Sequence, residues 1–139
     1  MRIVTLTMLL ALAGSAAVAD QLPAPADAAV YIIKPAPGAR VKSPVTVVFG
    51  LTGMGIAPAG VKFDNTGHFH LLIDTAMPAD ATAPLPATDG IRHYGKGQTE
   101  ARIELPPGKH TLQLVLADYT HTPFTPNVIS KQITITVTN

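Results

Sequence analysis

The chain is cut by proline and glycine into short runs, none longer than about ten residues with a regular pattern, and none of those runs has a helical period. Apolar residues recur instead at every second position, the period of a strand with one face toward a core. Seven runs read this way. Val30-Tyr31-Ile32-Ile33 stops at Pro35-Ala36-Pro37-Gly38, a fixed φ followed by a permissive glycine. Pro44 leads into the β-branched run Val45 to Leu51, and a loop from Thr52 to Thr66 precedes Gly67 to Asp74. Thr75 to Gly90, with Pro78, Pro84 and Pro86, reads as a long surface excursion. Ile91 to Gly97, Thr99 to Leu105, His110 to Asp118 and Val128 to Val137 supply the rest. Seven short strands with turns between them predict an all-β, immunoglobulin-like antiparallel β-sandwich without its cysteine pair.

The first nineteen residues stand apart from this pattern. Arg2, the apolar run Ile3 to Leu12 and Ala17-Val18-Ala19 form the three parts of a cleavable secretion signal, with cleavage expected before Asp20. The apolar run is too short to span a bilayer, so the expectation is a periplasmic or secreted bacterial protein that is not membrane-spanning after cleavage. Residues 20–29, rich in proline and alanine, read as a linker, and 30–139 as the sandwich domain. Ten Lys/Arg against nine Asp/Glu, without a basic run, exclude a nucleic-acid partner. With no cysteine there is no thiolate for catalysis or for a metal, so any metal site must use imidazole, carboxylate or thioether.

The run Gly67-His68-Phe69-His70-Leu71-Leu72-Ile73-Asp74 carries the chemistry. On a strand, Phe69, Leu71 and Ile73 share the core face, while His68, His70 and Leu72 share the other. Two imidazoles pointing one way from neighbouring pleats are a compact offer to one ion. In an immunoglobulin-like strand order His121, from the loop Tyr119 to Asn127, comes to the same end as His68 and His70, and His93 lies near that rim. Met54 and Asp118 lie there too, the first reading better as a buried plug and the second as a turn residue than as ligands. His110 falls at the opposite end and reads as structural.

Several of these segments resemble one family. Gly53-Met54-Gly55, Asn65 to Asp74, His93 to Glu100 and Leu105 to Leu114 are similar to short secreted bacterial domains grouped as a domain of unknown function, DUF4399. The resemblance extends from about Val30 to Val137. The family pattern has three successive histidines where this chain has His68-Phe69-His70, and it has histidine at His93, His110 and His121. It implies a periplasmic β domain, and it brings His110 back into consideration.

Two functions follow as expectations. The first is a histidine-rich metal-binding module for copper or zinc carriage or buffering, with His68, His70, His121 and His93 as ligands. The second is a metal-free interaction module presenting the His68/His70/Leu72 face, with Val115 and Ala117, to a protein or glycan partner in the cell envelope. Catalysis ranks third, because no nucleophile elbow, His-Glu-x-x-His helix or phosphate-binding glycine loop is present.

Overall fold

A computed structural model describes residues 20–139, so the secretion signal expected at 1–19 lies outside the described residues. Among the described residues there is no helix; nine strands build two sheets. They are β1 (Ala29–Lys34), β2 (Arg40–Lys42), β3 (Val45–Thr52), β4 (Gly55–Ile56), β5 (Thr66–Ile73), β6 (Ile91–Tyr94), β7 (Glu100–Ile103), β8 (Gly108–Ala117) and β9 (Ile133–Thr138). The smaller sheet has the order β1-β3-β7, and the larger β2-β9-β8-β5-β4 with β6 also paired to β5. The seven runs read from the sequence all form strands, the last of them only from Ile133. The expectation of purely antiparallel pairing needs correction, because β2 runs parallel to β9 and β4 parallel to β5. These two strands are only three and two residues long, too short to leave a periodic signal.

Alternation places the core between the sheets. Val45, Val47 and Phe49 of β3 face Phe69, Leu71 and Ile73 of β5, with Leu112, Leu114 and Leu116 of β8 beside them, all buried. The Phe49 ring packs at 5.0 Å from Phe69 and 5.2 Å from Tyr94, both tilted, a favourable aromatic geometry. Phe69 is fully buried here, on the opposite face of β5 from its two histidine neighbours.

The outer face of the larger sheet is buried as well. Leu72, Val115 and Ala117 form a second apolar cluster with Leu85 and Ile91, against which Met77 and Ile129 pack. Leu85 belongs to the 75–90 segment, which therefore covers the sheet rather than standing away from it, and its N–H donates to the His121 carbonyl at 2.8 Å. Residues 20–29 are likewise tied down. Ala24 N–H donates to Thr125 O, Thr125 N–H to Leu22 O, and Gln21 Nε2 to the Ala81 and Pro123 carbonyls.

At the far end of β5, Asp74 joins β5 to β8. Its Oδ1 accepts the Thr111 N–H at 2.8 Å, and its Oδ2 lies 2.6 Å from His110 Nδ1. His110 Nε2 faces the Pro106 carbonyl at 2.8 Å, so both ring nitrogens meet acceptors and the imidazolium satisfies both. The hydrogen bond to Asp74 raises the His110 pKa above its ordinary value.

Gly67 sets how closely β5 meets the chain leaving β8. A Cβ there would lie 2.5 Å from the Ala117 carbonyl oxygen and 3.0 Å from both Leu116 Cγ and Phe124 Cε2. Backbone on one side and packed core on the other leave it nowhere to go. Gly67→Ala is expected to destabilise the fold by about 1–3 kcal/mol, the usual cost of overpacking, read as a lowered urea midpoint.

Candidate metal centre

The site is assembled by strand register. His68 lies opposite Ala117 and His70 opposite Val115 on β8, while His93 of β6 is the direct cross-strand partner of His70. Directly opposite residues project to the same face, so three imidazoles rise together from the outer face of the larger sheet. The fourth, His121, comes from the turn that follows β8.

That turn is held by one carboxylate. Asp118, 4% exposed, accepts at Oδ1 from Thr120 N–H (2.8 Å), Thr120 Oγ1–H (2.7 Å) and Thr122 N–H (3.0 Å). Its own N–H donates to the Thr122 carbonyl, and its carbonyl accepts from His121 N–H, both at 2.9 Å. His121 is thereby fixed at φ 68°, a left-handed conformation that costs a residue with a Cβ about 1–3 kcal/mol and persists only where its surroundings enforce it. Asp118 is thus a turn residue, as its sequence context suggests, and its work is to aim His121.

The geometry is tight. His68 Nε2 lies 3.1 Å from His121 Nδ1 and 3.1 Å from His70 Nε2. One ligand nitrogen from each of His68, His70, His93 and His121 falls within 4.8 Å of the other three. His68 and His70 are buried, His121 is half-buried and His93 is exposed, so the cluster is closed beneath and open at the His93 edge. His68 Nε2 has one in-plane orbital for two contacts, and in any tautomer the Nδ1 atoms of His68 and His70 are buried without a hydrogen-bond partner. Such a cluster is poorly satisfied by protons alone. A cation at its centre would turn crowded lone pairs into ligands.

The surroundings favour the neutral form of His68, His70 and His93. Burial, then the neighbouring His121 and His93, lower the His68 pKa to about 4, against a smaller opposing pull from Asp118. Burial, then His68, His93 and His121, lower that of His70 to about 3. His93 is lowered by burial and by His121. Neutral imidazole is the form that binds metal, so the two β5 nitrogens are ready well below neutral pH.

His110 lies apart, in the Asp74 link described above. Met54 packs against the main core, as the plug its sequence context suggests. The sequence reading missed Gly95. A Cβ there would overlap His93 Nε2 and Cε1 and lie 3.0 Å from Ala59 Cβ, so the missing side chain is what lets the His93 ring lie where it does. Its place in the Tyr94-Gly95-Lys96-Gly97 run suggested only a turn.

The fold and site together define a class: an all-β protein of two sheets with four imidazoles converging on the outer face of the larger one. The family described as "Domain of unknown function (DUF4399)" matches residues 47–138, about two thirds of the chain, and the protein belongs to it. No curated protein and no solved structure matches the chain.

The two groups of shifted histidines act on stability in opposite directions. His68 and His70 stay neutral in the fold to about pH 4 and 3, whereas in the unfolded chain they protonate near 6.5. Their contribution is complete above about 6.5 and is lost as pH falls toward the folded values. His110, with a raised pKa, contributes fully below about 6.5 and loses that contribution as pH rises through its folded value. With chelator present, the urea midpoint should therefore decline on both the acid and the alkaline side. A His68→Gln/His70→Gln variant should flatten the acid limb and Asp74→Asn the alkaline one.

Proposed function

We propose that this protein is a metal-binding module of the bacterial periplasm or exterior, holding copper or zinc at His68, His70, His93 and His121. The observation that carries the reading is the meeting of four ligand nitrogens within 4.8 Å, in a chain with no cysteine to offer instead. Imidazole-only donor sets suit both Cu(II) and Zn(II). Carriage or buffering fits better than catalysis. All four donors are available to the ion, and the nearby acid, Asp118, has the oxygen Oδ1 committed to the turn. Two buried ligands, one half-buried and one exposed suit an ion that must be both held and given up. The export signal expected at the N-terminus would put the module where such ions are met first.

The rival reading, a metal-free contact surface, loses the face that suggested it. Leu72, Val115 and Ala117 are at most 1% exposed beneath the 75–90 segment, so no partner can reach them without moving that cover.

Titration by calorimetry of the secreted chain with Zn(II) and Cu(II) should give one tight site per molecule. The site should disappear in a His68→Ala/His70→Ala variant and persist in His110→Ala. Gly95→Ala, which displaces one ligand without removing it, should weaken binding by about 10–100-fold, the range typical of changes in the surroundings of a ligand. Binding equal in all four proteins would refute a site at these residues.

A further inference from the structure

The six distances between ring centres describe the polyhedron that the four histidines would impose on an ion. His68 lies 5.0 Å from each of His70, His93 and His121. The remaining pairs are His70–His93 at 5.1 Å, His70–His121 at 5.8 Å and His93–His121 at 4.7 Å. With a metal–nitrogen bond of about 2.05 Å and the ring centre about 1.15 Å beyond, a tetrahedron of imidazoles spaces every pair about 5.2 Å apart. A square plane with the same bonds gives four pairs at about 4.5 Å and two across the plane at about 6.4 Å. The longest pair, His70–His121 at 5.8 Å, has no long counterpart, because the complementary pair His68–His93 is at 5.0 Å, and one ring is equidistant from the other three.

The shape is also hard to change. His68 and His70 are fully buried two residues apart on a central strand, and the backbone of His93 is held in register opposite His70. The left-handed turn at His121 is held by the Asp118 carboxylate. Flattening the set from the β5 side would push two buried rings against β8. We infer, resting on the reading of these histidines as one metal centre, that the site is shaped for a tetrahedral closed-shell cation, Zn(II), and against the tetragonal preference of Cu(II). Cu(I) shares the tetrahedral geometry, but its preferred thiolate donors are absent from the chain.

Two spectroscopic probes test the shape directly on the secreted chain. Co(II), a stand-in for zinc, should bind with the intense visible bands of four-coordinate cobalt and be displaced by one equivalent of Zn(II). Cu(II) should give an electron paramagnetic resonance spectrum whose parallel hyperfine splitting is narrowed relative to tetragonal copper–imidazole complexes. A pale six-coordinate cobalt spectrum, or ordinary tetragonal copper, would overturn the inference while leaving the metal centre standing. Failure of Zn(II), Co(II) and Cu(II) alike to bind would overturn the metal-centre reading and this one with it.

Discussion

Strand β5 is buried on both faces, and most of the molecule follows from how each face is covered. Its pairing with β8, from His68–Ala117 to Ile73–Leu112, holds the centre of the larger sheet. One face supplies Phe69, Leu71 and Ile73 to the core between the sheets. The other carries two imidazoles and then Leu72, under a separate apolar roof. A strand buried on one side only would leave the histidines in water as an ordinary polar rim. Here the roof of Leu85 and its segment, anchored to the His121 backbone, dries the sheet beside them. That burial dominates the lowering of their pKa values.

Burying the Nδ1 atoms of His68 and His70 without partners costs free energy, as does the left-handed backbone at His121. The fold accepts both at one place. It does so where the surrounding structure is well determined: a central ladder below, the Asp118 turn to one side and Gly95 leaving room for His93 on the other. Local departures from good sequence–structure agreement that coincide in space point to a site rather than to tolerated defects. At the opposite end of β5, His110 makes the contrast. Both of its nitrogens meet acceptors, and it joins two strands.

How much of this was legible in the sequence depends on the range of the interaction. Period-two runs such as Thr99–Leu105 and His110–Asp118 were readable because alternation is local and proline or glycine marks the ends. The shared direction of His68 and His70 was readable for the same reason. The convergence of His93 and His121 was reachable only by assuming a strand order, because it depends on register across β5, β6 and β8. What stayed hidden lacks any period: β2 and β4, with their parallel pairing, and the 75–90 cover, whose alanines and prolines resemble any exposed loop. Gly95 was invisible as a positioning residue, since its role is an absence of atoms next to one particular ring.

The unequal exposure of the four ligands bears on which of the two broad roles the geometry supports. A structural metal is usually enclosed on all sides, and a catalytic one keeps an open position over a pocket that receives substrate. This cluster is closed beneath and open at one edge. The cavities of about 250 Å³ beside Phe63 and Phe124 and of about 370 Å³ beside Tyr31 and Lys131 are not lined by any of the four histidines. The opening lies at His93, a side chain on a short outer strand, with His121 next to it. An ion there would rest on the two buried nitrogens of β5 and be covered by those of the half-buried His121 and the exposed His93. Release in the proposed module would begin at His93, whose imidazole would return to water and not to an apolar wall. An arrangement with four buried donors would bind with no such path, and one with four exposed donors would have no fixed shape. In the proposed metal module, the split between the β5 histidines and the two outer ones would reconcile holding an ion with handing it on.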